Sequence, residues 1–226
     1  MSDGRLRREQ ALEASLVGAI RDSAALDIAG DWAEIGLDGL IDSDLIEKIP
    51  VISHVRAAWK TGRQISELLF TRKLLRFFSH LGSVPEGERA AFVERLEEDP
   101  EQQSRVGEHL ILLLDRADDL LKPHLFAVAF ARYIRGVWTF SQFQEAARAI
   151  DHCLISDLNY FAAHVEYRPT AFDEMGGLFL QVDGESGGAA ARLGGAGIVE
   201  RAGGGYCLTL AGEWLRALLP ATQGDE

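Results

Sequence analysis

Two cysteines, Cys153 and Cys207, stand far apart with no CxxC pair. That excludes a disulfide framework and a thiolate zinc ribbon, and both thiols are expected to be reduced and buried. Long apolar runs are also missing. The strongest, Leu110 to Leu114 and Leu125 to Ala131, fall far below the roughly 20 residues that carry a helix across a bilayer. The first residues mix arginines and acids without a continuous apolar core or a cleavage site, so a cytoplasmic protein is expected. There is no HExxH, no GxxxxGK[ST] and no GxGxxG, which removes the common signatures of zinc proteases and of phosphate and dinucleotide cradles.

Positive charge is scarce as well: 23 Lys and Arg stand against 35 Asp and Glu, for a net charge of -12. A general nucleic-acid binder needs clustered cations to neutralise phosphates, so nucleic acid is not expected as a partner. The exception is local. Lys48, Arg56, Lys60, Arg63, Arg72, Lys73 and Arg76 are accompanied only by Glu67, leaving 16 basic and 34 acidic residues elsewhere. Such sorting creates a field that seeks an acidic partner, inside the fold or outside it. Arg56, Lys60, Arg63, Arg72, Lys73 and Arg76 are therefore the candidate partner-binding residues.

Helical spacing dominates the first 166 residues. Leu12, Leu16, Val17 and Ile20 predict a first amphipathic helix, and Leu26, Ala29, Ala33, Leu37, Leu40 and Ile41 a second. Phe70, Leu74, Phe77, Phe78 and Leu81 form an apolar face in the basic block, shifted from that of Val55, Trp59 and Ile65, and a bend is expected near Phe70 to Arg72. Ser83 with Glu86 has capping-box spacing, and Asp99, Pro100 and Gln102 signal another helix start. The two helices beginning there hold eleven acids against four arginines between Glu86 and Asp119. Glu94, Glu97, Glu98 and Glu101 are thus the expected internal partners of the basic block. Pro123 opens a helix apolar on nearly all sides, expected at the centre of a bundle, and Ser141 is expected to cap a long helix running through Leu154 and Leu158.

The texture changes after Arg168, Pro169 and Thr170: more than half of the 23 glycines lie from Gly176 onward. Short apolar runs at Leu178 to Val182, Ile198 to Val199 and Tyr206 to Leu208 read as strands. The stretch LGGAGIVERAGGGYCLTLAGEWLRALL resembles the strand, tight turn, strand and final helix of winged-helix domains. It departs from DNA-reading members in offering Arg192 as the single cation ahead of the first strand. The expected architecture is mainly α: a helical bundle over 1–166 followed by a small α+β, winged-helix-like domain over 167–226.

His54, His80, His109, His124, His152 and His164 show no ligand spacing, and they are read as ordinary structural or surface histidines with no metal. Asp115, Asp118 and Asp119 are read as solvating a helix end. Cofactors are not expected. The order of IPVISHVRAAWKTGRQISELLFTRKLLRFF, LEEDPEQQSRVGEHLILLLDRADDLLKPHLFAVAFARYIRG and FSQFQEAARAI resembles a group of bacterial helical proteins distantly similar to the abortive infection alpha family. That resemblance implies phage resistance. The expectation is a non-enzymatic effector that binds a protein partner or itself. The alternatives are a winged-helix transcriptional regulator and a membrane-active protein. The latter would insert the hairpin 110–138 after its basic block meets anionic head groups.

Overall fold

The computed structural model of the chain describes residues 3–22, 26–27, 29, 51–52, 64–170, 173–182, 187–202 and 205–219. The helices expected over 26–41 and around 55–63 lie largely outside these. Two compact units divide at Val137/Trp138. The division expected at 166/167 follows the change from helix to strand, whereas the compact units keep two further helices with the sheet.

Unit 1 contains five described helices: α1 (Asp3–Arg21), α2 (Gln64–Leu81), α3 (Glu86–Glu97), α4 (Pro100–Arg116) and α5 (Lys122–Ile134). Packing follows the apolar faces read from the sequence. Leu16, Val17 and Ile20 of α1 are buried, as are Val106, Leu110, Leu113 and Leu114 of α4, and α1 runs along α4. Gly107 makes this approach possible: a Cβ there would lie 2.8 Å from the Cβ of Glu13 and 3.0 Å from its backbone. Gly107→Ala should therefore lower unfolding free energy by about 1–3 kcal/mol through overpacking. Gly18→Ala in α1, where a Cβ meets nothing within 4 Å, should raise it by about 0.5–1 kcal/mol through helix propensity. Urea unfolding of the two variants reads the opposite signs directly.

Helix α2 is continuous through Phe70 to Arg72. Thr71 and Leu75 join Phe70, Leu74, Phe77, Phe78 and Leu81 in the interior, and the helix lies chiefly against α5. Phe130 of α5 is the centre of the aromatic core, with Phe77 at 5.7 Å and Phe92 at 5.5 Å between ring centroids. Tilted and edge-on pairs at such distances add to simple area burial.

Two start signals behave differently. Asp99 accepts from Gln102 N at 3.1 Å with Pro100 in the first turn, as the sequence signals. Ser83 does not cap α3. Its hydroxyl donates to His80 O at 2.7 Å and closes α2, while Pro85 is the N-cap of α3 and makes no side-chain cap bond. Proline's restricted φ sets the entry to α3 two residues later than Ser83.

Unit 2 holds α6 (Phe140–His152), α7 (Ile155–His164), β1 (Val165–Thr170), β2 (Asp173–Leu180), α8 (Gly187–Gly195), β3 (Val199–Ala202), β4 (Gly205–Leu208) and α9 (Leu210–Leu218). The described strands form one antiparallel sheet in the order β1-β2-β4-β3. The fold is thus mainly helical with a small α+β portion at the carboxy-terminal end, as the sequence predicts. The details differ. Thr139, not Ser141, caps α6 in a capping box with Gln142. The single long helix expected there is two: Cys153 and Leu154 adopt extended backbone, leaving Leu154 exposed while Leu158 is buried. Strand β1 was not anticipated, and its register with β2 shifts between Arg168 and Thr170, around Pro169, which has no N–H to give to a ladder. Gly197, with φ of 75°, ends α8 in the left-handed conformation and delivers the chain to β3.

Candidate functional site

The polar side of α2 is the candidate site. Arg72, Arg76 and His80 recur every fourth residue and so form one row along the helix. Lys73 sits beside that row but is committed inside the fold. Its ammonium donates to Asp115 O at 2.8 Å, satisfying a carbonyl in the last turn of α4, where positive charge also complements the helix dipole. Partial burial pushes the Lys73 pKa down, opposed by the charges of Asp115 and Asp118. Arg56, Lys60 and Arg63 lie outside the described residues.

The expected pairing of this row with the acidic helices is not found among the described residues. Glu94, Glu97, Glu98 and Glu101 are exposed, and Glu97 faces Arg21 of α1 at 3.6 Å. The cause is packing. Helix α2 rests on α5 and touches α4 only lightly, and among the described residues the hydrogen bond from the basic block to the acidic pair is that of Lys73 at the end of α4. Arg72 and Arg76 are half-buried, and the Nε of each is shielded from water without a hydrogen-bond partner. No ion pair to either arginine exists among the described residues. A buried donor left unmatched is costly.

His80 carries the row to α5. Its ring meets that of His124 edge-on, with centroids 4.4 Å apart. Partial burial lowers the pKa of His80, helped by His124 and by the charge of Arg135; partial burial also lowers that of His124, helped by Arg76. Both rings are therefore neutral at pH 7, each with one N–H to donate. Arg135, just beyond α5, shares its charge with Glu88 of α3 at 3.0 Å. Sequence reasoning missed this pair. Position 80 follows Arg76 by one helical turn and was legible as part of the row, but nothing in the sequence ties it to position 124.

The histidine pair has a measurable signature. The unfolded chain takes up protons before the folded protein does as the pH falls. The stability of the neutral pair is thus whole above about 6.5, the ordinary imidazole value, and declines as the pH drops through it toward the lower folded-state values. Denaturant unfolding between about pH 7.5 and 5 should show this slope, and His80→Gln with His124→Gln should flatten it. An unchanged slope in the double variant would assign it to other groups.

The other candidate positions are structural. Asp118 pairs with the buried Lys122 at 2.6 Å, and its carboxyl is held below the usual range chiefly by the hydrogen bond from Lys122. Asp119 accepts from Leu121 N at 2.7 Å. Among the described residues no three His, Cys, Asp or Glu side chains gather to hold a metal, and no helix is long and apolar enough to cross a membrane. Cys153 is buried, but Cys207 is only half-buried, with its thiol pushed up by burial and then by the charge of Glu200.

In unit 2, Arg192 binds both carboxylate oxygens of Asp157, at 2.8 and 2.6 Å. Asp157 is 1% exposed. The one cation of α8 is thus occupied within the fold. Residues 184–188 spell GESGG, the Gly-x-Ser-x-Gly spacing of a nucleophile elbow. An elbow of that kind joins a strand of a mostly parallel α/β sheet to a helix, whereas β2 belongs to an antiparallel sheet, and Ser186 lies outside the described residues.

No protein-family model, no curated protein and no solved structure matches the chain.

Proposed function

We propose that this chain is a non-enzymatic binding protein that engages an acidic segment of a partner protein along the Arg72–Arg76–His80 row of α2. The observation that carries this reading is the pair of guanidinium groups that make no ion pair, and whose Nε atoms have no hydrogen-bond partner, among the described residues. Lys73 beside the row is satisfied from within, by the main-chain carbonyl of Asp115. The open row supports recognition of a partner whose charge complements it, with most of the benefit in encounter rate and selectivity. A bacterial anti-phage setting is part of the proposal and rests on the sequence resemblance alone.

A winged-helix regulator is the second reading. It is favoured by the β3–β4 hairpin followed by α9 and by the order β2-β4-β3, and it is weakened by the engagement of Arg192 with Asp157.

The test is fluorescence anisotropy with a labelled oligoglutamate peptide. The natural chain should bind it, with affinity falling at least about tenfold between about 50 and 300 mM salt as the Debye length shortens. Arg72→Glu with Arg76→Glu should abolish binding while leaving circular dichroism unchanged. Equal binding by the natural chain and the folded double variant, or no binding by the natural chain, would overturn the proposal.

A further inference from the structure

The two ends of the basic row differ. Toward Arg72 the row presents a guanidinium and the exposed Leu69. Toward His80 it broadens into a cluster drawn from two helices: Arg76 and His80 from α2, and His124 from the first turn of α5, with Arg135 past the end of α5 close enough for its charge to act on His80. Resting on the reading that this face binds an acidic segment, we propose that the Arg76–His80–His124 cluster is the seat of a phosphoryl group carried by that segment.

Three features favour phosphate over carboxylate. A carboxylate has two oxygens in one plane and is matched by a single arginine fork, whereas the donors here come from a guanidinium and two crossed imidazoles, with rings inclined at 73°. A tetrahedral oxyanion offers acceptors in several directions at once. Charge points the same way. A phosphomonoester carries about -1.5 to -2 near neutral pH, which suits a cluster holding Arg76, which has no ion pair among the described residues, the partly neutralised Arg135 and two neutral rings able to take up a proton. The rings also complete the site chemically, since each donates an N–H without adding repulsion to Arg76 before the ligand arrives.

The surroundings favour a narrow ligand over a membrane. Glu88, Asp115 and Asp118 are exposed, Glu88 bound to Arg135 and the two aspartates acting on Lys73 beside the row, and acids so near the row oppose a flat anionic sheet. Leu69 is the one large exposed apolar residue on the described part of α2, too little to enter a lipid interface.

Binding of a phosphate would stabilise the charged form of both imidazoles. The groups that act on the pair are Arg76 from α2 and Arg135 from beyond α5, the latter tied to Glu88 of α3. Loading the site should raise the pKa of both rings.

The experiment is NMR of the His80 and His124 ring resonances in the full chain, titrated with inorganic phosphate and, at matched ionic strength, with acetate. Phosphate should give saturable shifts and move both ring titrations to higher pH, while acetate gives neither. Arg76→Gln and His124→Gln, each checked for retained fold, should weaken the phosphate response at least tenfold. A phosphoserine peptide with flanking glutamates should bind at least tenfold more tightly than its unphosphorylated counterpart, and vesicles containing phosphatidic acid should not bind. Equal responses to phosphate and acetate, an unaltered response in folded Arg76→Gln, or preference for the vesicles would overturn the phosphoryl assignment. If oligoglutamate still binds through Arg72 and Arg76 in that case, the assignment alone has failed; if it does not, the binding face itself has failed.

Discussion

Arg89→Ala will lower the unfolding free energy of unit 1 by about 3–5 kcal/mol, the range for removing one member of a buried charged network. Arg89 lies in the first turns of α3 and is only 4% exposed. Its Nε donates to Val84 O at 3.0 Å and its Nη1 to Ile20 O at 2.8 Å. One side chain therefore joins the turn before α3 to the end of α1, where Ile20 O belongs to the set of carbonyls a helix leaves unmatched. Burial lowers the pKa of the guanidinium, opposed by Glu86, Asp27 and Asp22, and the group stays charged.

Truncation would strip hydrogen bonds from two carbonyls, leave those acids without their counter-ion and open a void the length of an arginine. Charge-assisted bonds of this type are worth about 1.5–3 kcal/mol each. Arg89→Lys should recover only part of the loss, because an ammonium lacks the fork that reaches both carbonyls. Urea unfolding followed by circular dichroism reads the effect, and a loss below about 1 kcal/mol for Arg89→Ala would mean that water replaces both contacts.

The unequal success of the sequence reading has particular causes. The faces of α1, α4 and α5 were legible because apolar residues at three- and four-residue spacing had no competing interpretation, and Asp99–Pro100 was legible because side-chain capping is local. The division of α6 from α7 was hidden for the same reason that made other helices visible: Leu154 continues the spacing of Ile150 and Leu158, yet the backbone extends there. Strand β1 was obscured by Pro169, which argues against a strand unless the ladder is irregular.

Of the candidate site, the charge content could be read but its allocation could not. Sorting of cations onto one helix said that Arg72, Lys73 and Arg76 need counter-charge. Only packing decides that Lys73 finds a carbonyl at the end of α4 while Arg72 and Arg76 find no acceptor at Nε among the described residues. The contact of His80 with His124 depends on how α2 rests on α5, a long-range outcome with no signature in either segment.

Gly212→Ala will disrupt unit 2, with an expected loss of about 3 kcal/mol or more, at the upper end of overpacking effects. A Cβ at Gly212 would stand 2.2 Å from Ile198 O and 3.2 Å from Ile198 C, a distance that no rotamer change can relieve because both obstacles are backbone. Nor is the carbonyl free to move away. It accepts from Thr209 N at 3.0 Å and from Thr209 Oγ1 at 3.0 Å, and the same Thr209 side chain accepts from Gly212 N as the cap of α9. The close approach of α9 to Ile198 and the cap that starts α9 are thus one arrangement. Displacing α9 by the ångström or so that a methyl group demands would break the cap and withdraw Leu215, which is fully buried. The motion would also pull Trp214 from Trp138, now 5.9 Å away between ring centroids. Near-ultraviolet circular dichroism should lose the contribution of Trp138 and Trp214 in the variant before helical content falls. A variant with the natural near-ultraviolet spectrum and unchanged thermal midpoint would show that β3 and α9 can separate without cost.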